Sequence, residues 1–148
     1  MDFKIDKMSL KDLTSIKDIL TTEFDDFWNY EILKSELESS SSYFFVAKNN
    51  SDEIVGFAGI KVILDEADIM NIVVKKDFRN KKIGSLLLEH LISYSKSINL
   101  KNITLEVNKN NLSAIKLYEK FAFDRLGIRK KYYNGKDDAI IMSKSFNR

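Results

Sequence analysis

Between a strand-like run, Ile72-Val73-Val74, and a helix-like run that starts at Ile83, the sequence places five cations: Lys75, Lys76, Arg79, Lys81 and Lys82. Asn80 interrupts them, and Gly84 and Ser85 follow Ile83. Cations gathered just before a helix N-terminus suit the binding of phosphate. The first N–H groups of a helix have no partner within it, the dipole end is positive, and a glycine lets backbone approach a ligand closely. The plainer reading of the same residues is a solvated loop. The turn is not a nucleoside-triphosphate loop, because no G-x-x-x-x-G-K-[ST] occurs. Further on, Glu106 lies inside the apolar run Ile103-Thr104-Leu105-Glu106-Val107. A carboxylate so placed is a candidate general base, or else a residue on the strand's solvent face. Tyr118 follows twelve residues later (118 − 106), at helical spacing, where a core aromatic is the simpler account. Asn111 stands where a helix beginning at Leu112 needs its N-cap.

The elements that must position these residues follow from periodicity. Phe3 and Ile5 alternate with polar residues and mark a short first strand. Ser9 caps a helix whose apolar stripe runs Leu10, Leu13, Ile16, Ile19, Leu20 and Phe24. A second helix covers Tyr30 to Leu37, and the Ser39–Ser42 run connects it to a strand. Residues 43–48, 54–64 and 69–74 then read as an antiparallel meander, with an acidic turn at Asp65-Glu66-Ala67-Asp68. Residues 83–98 form an amphipathic helix and 102–107 a buried strand. A helix over 111–121 and a hairpin over 129–143, turning at Asn134-Gly135, close the chain. The order βααβββαβαββ predicts an α/β (α+β) fold in one domain spanning 1–148. The strand–helix–strand unit from Ile72 to Val107 demands a right-handed parallel crossover, while the meander is antiparallel. The sheet is therefore mixed, with about seven strands and helices on both faces. In such sheets ligands sit at the carboxyl ends of strands where the topology switches, here just after Val74.

Composition narrows the function classes. At 44% hydrophobic and 31% charged, the chain has the make-up of an ordinary soluble globular protein. Its start carries charges where a signal peptide has its apolar core, so a cytoplasmic address is expected, with no membrane association. Cysteine is absent, which excludes thiolate catalysis and cysteine-based metal sites, and no metal is expected. Twenty-four basic residues against 22 acidic leave a net charge of +2, so no global field favours direct nucleic-acid binding. Any anion site must be local.

The segment Val73-Val74-Lys75-Lys76-Asp77-Phe78-Arg79-Asn80-Lys81-Lys82-Ile83-Gly84 resembles the acetyl-CoA signature of the GNAT N-acetyltransferase superfamily, a strand followed by [QR]-x-x-G-x-[GA] and a helix. Arg79 fills its first position and Gly84 its last; Lys82 stands where the middle glycine is usual. Residues 105–123, "LEVNKNNLSAIKLYEKFAF", resemble the family's "LEV…N…A…LYE…GF" segment as found in the RimI-type ribosomal-protein alanine N-acetyltransferases. Residues 62–74 and 129–143 resemble the same subfamily. The likeness covers nearly the whole chain and is weakest before residue 43. It implies a mostly antiparallel sheet whose central parallel strands splay to admit acetyl-CoA. It also implies that backbone at Ile72, Val73 and Val74 pairs with the pantetheine arm, and that the turn Arg79-Asn80-Lys81-Lys82-Ile83-Gly84-Ser85 holds the pyrophosphate. By the same resemblance Asn111 contacts the cofactor, Glu106 is the general base, and Tyr118 is the acid that protonates the leaving thiolate. Trp28, Tyr132 and Tyr133 would line the acceptor groove, and Asp65 and Glu66 would attract a cationic N-terminus. For these five, core packing, cross-strand pairing and an ordinary acidic turn are the alternatives.

The function implied is acetyl-CoA-dependent acetylation of a protein or peptide N-terminus, with a small-subunit ribosomal protein beginning with alanine as partner. A GNAT enzyme for a lysine, polyamine or small-molecule amine would share the cofactor half. A non-catalytic CoA-binding module is a second alternative, against which the presence of both Glu106 and Tyr118 counts.

Overall fold

The computed structural model describes residues 2–25, 28–133 and 135–146. Among these, seven strands form one sheet: β1 (Lys4–Lys7), β2 (Ser42–Lys48), β3 (Ile54–Ile63), β4 (Glu66–Val74), β5 (Asn102–Asn108), β6 (Asp124–Tyr133) and β7 (Asp137–Ser145). The helices are α1 (Leu10–Ser15), α2 (Tyr30–Leu37), α3 (Ile83–Ser97) and α4 (Leu112–Lys120). The strand order is β1-β2-β3-β4-β5-β7-β6, so β7 lies between β5 and the edge strand β6. Each pairing is antiparallel except β4 with β5. No helix of the described residues is long and apolar enough to cross a membrane.

The central strands are apolar because both their faces are covered. Along β2, Phe45 and Ala47 pack into a core beneath α3 and α4, while Phe44 and Val46 point into a second core with Leu13, Leu20, Phe24 and Leu33. Burying each large aliphatic side chain contributes about 1.5–3 kcal/mol, so the two cores hold helices to both faces. In β5 the alternation is strict. Ile103, Leu105 and Val107 are buried, which turns Thr104, Glu106 and Asn108 to the opposite face.

Three local expectations are corrected. The first helix, with Ser9 making a full capping box to Asp12, ends at Ser15 instead of running to Phe24. The chain continues as a 3₁₀ turn, Lys17–Ile19, and a π turn, Leu20–Phe24. Ile16 and Ile19 leave helical geometry, with ψ of 8° and 4°, as β-branched residues do most readily. Leu20 and Phe24 nonetheless stay buried, so core packing overrides the regular helix. The acidic turn is shorter than expected. Ile63 pairs with Glu66, which leaves Leu64-Asp65 as a two-residue turn and makes Asp68 part of β4. In the last hairpin, strand pairing begins at Asp124 rather than Arg129. Asn134 lies outside the described residues, and Gly135 has φ +68°, as a turn glycine can.

The feature that makes a site is a split in the sheet. β4 and β5 pair only through Glu66–Asn102, Ala67–Ile103 and Asp68–Thr104. Beyond those pairs β4 follows β3 and β5 follows β7. Gly59 opposes Asn71 and Ile60 opposes Ile69, so Met70 is an extra residue in β4. Such a bulge bends its strand and increases its twist, which carries the end of β4 away from β5.

Candidate active site

The basic turn is built partly from ion pairs. Lys75 Nζ lies 2.7 Å from Glu53 Oε2 and 3.3 Å from Glu23 Oε1. Arg79 donates from Nε to the Val74 carbonyl (3.1 Å) and from Nη2 to the Phe24 carbonyl (2.8 Å). Two of the five cations therefore tie the loop to the fold. Lys76, Lys81 and Lys82 are exposed and carry the local positive charge.

The start of α3 is open. Lys82 is its N-cap with no side-chain cap, and the first helical bond runs from Leu86 N–H to the Lys82 carbonyl (3.2 Å). The N–H groups of Ile83, Gly84 and Ser85 thus lack helical acceptors. They border a cavity of about 510 Å³, which Ile72, Val73, Val74, Arg79, Asn80, Lys82 and Asn111 also line. Lys81 does not line it. A Cβ on Gly84 would sit 4.0 Å from both Leu117 Cδ2 and Val74 Cγ2. The fold itself would accept a side chain there; glycine keeps that space for the cavity. Asn111 Oδ1 accepts from Ala114 N–H (3.2 Å), so it caps α4 while standing at the cavity.

Lys82 has φ +66° and ψ 19°, left-handed backbone that costs an L residue about 1–2 kcal/mol. Lys82→Gly should remove that strain, offset in part by glycine's larger entropy loss of about 0.5–1 kcal/mol. A net gain near 1 kcal/mol or less is expected, read as a higher denaturant midpoint at unchanged slope.

A second cavity, of about 370 Å³, lies across the slot and shares Ile72, Val73, Asn111 and Tyr118 with the first. It adds Asn71, Glu106, Asn108, Trp28 and Tyr133. Tyr118 stands where the two meet, packed on Phe123 with ring centroids 5.7 Å apart. Burial, with Tyr133 beside it, pushes its phenol up to about 12, so Oη keeps its proton throughout the neutral range. Glu106 also faces a side groove of about 260 Å³ with Trp28, Asp68, Tyr132 and Tyr133. Its Oε2 is 2.9 Å from Arg129 Nη2, an ion pair without hydrogen-bond geometry. The Arg129 guanidinium lies over the Tyr132 ring, 4.9 Å from its centroid. The charge of Glu106 raises the Tyr132 phenol, and burial raises that of Tyr133. Desolvation, with Glu106 nearby, raises the carboxyl of Asp68. A bulge aims the tyrosines: Arg129 pairs with Ala139 but Tyr133 with Asp137, and Lys131, at φ +50°, donates its N–H to Asp138 Oδ1 (2.9 Å).

The structure thus gathers Trp28, Tyr132 and Tyr133 around Glu106 and leaves Asp65 and Glu66 outside. Those two stand at the far end of β4, where Asp65 pairs with Lys101 (3.2 Å). Asp68 is the acidic residue of that stretch that reaches the groove. Asp68, Asn71 and Arg129 were not singled out from sequence. Asn71 was legible as the one amide in the apolar run 69–74, whereas Asp68 was hidden by the misplaced turn.

An open helix start lines one cavity, and a carboxylate and a protonated phenol line a second that meets it, an arrangement compatible with group transfer from an anionic donor to an acceptor. The sequence pattern of the Acetyltransferase (GNAT) family matches residues 13–123, and the chain belongs to that family as an acyltransferase. The crystal structure of the ribosomal-protein-S18-alanine N-acetyltransferase from Escherichia coli superposes with a TM-score of 0.89 at 31% identity, over 99% of this chain and 96% of that one. A putative ribosomal protein bS18-alanine N-acetyltransferase of Bacillus subtilis is 30% identical over 142 residues, 95% of this chain and 93% of the relative. The ribosomal protein bS18-alanine N-acetyltransferase of Salmonella typhimurium is 42% identical over 95 residues, a match spanning 64% of its length.

Proposed function

We propose that this chain is a cytoplasmic, acetyl-CoA-dependent N-acetyltransferase for a peptide α-amino group, with the N-terminal alanine of ribosomal protein bS18 as its acceptor. The observation that carries this reading is the placement of Glu106 and Tyr118 at two cavities that meet at Ile72, Val73 and Tyr118. The names of the similar proteins support the choice of acceptor.

The residues suit the donor. Beyond Asp68 the edge of β4 facing β5 has no strand partner, so backbone at Ile72–Val74 is open to an extended arm, as in strand addition. The N–H groups of Ile83, Gly84 and Ser85 suit a pyrophosphate, with Lys82 and Lys81 adding charge. Acetyl-CoA supplies the activated acyl group. Glu106 takes a proton from the attacking amine, directly or through water, and Tyr118 Oη gives one to the departing sulfur. Glu106 and Asp68 place two carboxyls in a groove that Lys61 also lines, with Arg129 paired to Glu106.

The acceptor's own acidity favours an N-terminus. An α-amino group has a pKa near 7.7–8.0 and a lysine near 10.4, so at about pH 7.5 the neutral fraction differs by roughly 200- to 300-fold. A panel of acceptor peptides tests this. Transfer should be fastest to a free N-terminus starting with alanine. It should be slower by about two orders of magnitude, following that ratio, for an N-blocked peptide with an internal lysine. Spermidine or lysine as the better acceptor would overturn the reading.

A further inference from the structure

Asn71 sits in β4 opposite Gly59, with apolar neighbours on either side in the chain. Its side-chain Nδ2 and Oδ1 are both shielded from solvent, and neither has a hydrogen-bond partner. The other asparagines of the same cavity differ. Asn108 donates to Asp137 Oδ2 (3.2 Å) and accepts from Asn110 N–H (2.9 Å), and Asn111 caps α4. An unmade donor and an unmade acceptor in one buried amide cost stability, and an aliphatic residue would serve β4 better. Asn71 lines the cavity of Glu106 and not the cavity beside Gly84. Asn71 therefore lines the acceptor side of the slot, with its amide held just beneath the surface.

A ligand that satisfies both ends must offer an acceptor and a donor close together. A peptide N-terminus does so, with its first carbonyl and its N–H groups, whereas a polyamine offers donors alone. We propose that Asn71 is a specificity-determining residue that recognises the acceptor as a peptide. Nδ2 donates to the first carbonyl oxygen and Oδ1 accepts an N–H of the acceptor, which holds the amine toward Glu106. This rests on the α-amine reading above. A site with an amide satisfied only by a peptide discriminates against amines lacking one, because the rejected ligand leaves the amide unpaired.

The test uses the full chain and two acceptors: an alanine-first peptide, and its analogue with a trans-alkene in place of the first peptide bond, which keeps the shape and loses carbonyl and N–H. For the wild type, kcat/KM should fall at least about tenfold on the alkene, mainly through KM. Asn71→Val should show a similar loss on the peptide and a clearly smaller one on the alkene, which keeps only the amine N–H, with unchanged acetyl-CoA affinity. Its denaturation midpoint should equal or exceed that of the wild type, a result that a merely structural asparagine would not produce. Equal wild-type use of peptide and alkene would overturn the inference even if the variant failed to fold. So would a folded Asn71→Val with an unchanged peptide KM. A wild type that acetylates no peptide at all would fell the α-amine reading itself, and this inference with it.

Discussion

Glu106→Gln is expected to lower turnover of an alanine-first peptide by about 10²- to 10⁴-fold at neutral pH, with acetyl-CoA affinity nearly intact. Glutamine keeps the shape of the side chain and its place on the face of β5 opposite Leu105 and Val107, but it cannot take a proton. Binding of the donor should be spared because Glu106 lines the second cavity and not the first. The defect should shrink with rising pH. An α-amine loses its proton unaided above about pH 8, and the base then has less to do. Arg129 loses its ion-pair partner in this variant but is 54% exposed, so water takes over and the fold should be little affected. Rates measured against pH at saturating peptide decide the matter. A defect of the same size at every pH would mean that the carboxylate acts through charge or position instead of as a base.

Tyr118→Phe removes one oxygen and should cost turnover by a similar factor, about 10²- to 10⁴-fold, for a different reason. Burial pushes the phenol up to about 12, so a proton stays on Oη throughout the neutral range. Protonating the leaving sulfur does not depend on the state of the amine. The defect should accordingly be flat with pH until the phenol itself ionises, in contrast to the sloping defect of Glu106→Gln. Stability gives a second check on the same group. Its folded pKa is raised above the ordinary phenol value near 10, so its stabilising effect is complete below pH 10 and is lost as pH climbs from there toward 12. The phenylalanine variant should lack that part of the alkaline destabilisation. Full activity in Tyr118→Phe would leave Tyr118 as an aromatic packed on Phe123 and place the acid elsewhere.

Much of this arrangement was legible in the residues. Strict alternation in Ile103-Thr104-Leu105-Glu106-Val107 is enough to put Glu106 on the face opposite three buried aliphatics, since the period of two is a property of strand backbone. The stripe Ile83, Leu87, Leu88, Leu91 and Ile92 likewise makes α3 and orients it, and Asn111 announces the start of α4. The element order with its one parallel crossover sets the topology that leaves a site after Val74. Each of these depends on neighbours within a turn of helix or a few strand residues. What only tertiary structure decided depends on groups far apart in the chain. Lys75 is committed to Glu53, 22 positions away, and Arg79 to the Phe24 carbonyl, 55 positions away, so the apparent five-cation socket carries less unpaired charge than its composition suggests. The extra residue at Met70 parts β4 from β5 only because β3 holds the register on its other side. That split leaves Asn71 at the site, with Asp68 at the last pair before it, and Asp65 and Glu66 behind. Periodicity along a chain states which face a residue takes; which partners meet on that face is settled by packing between segments.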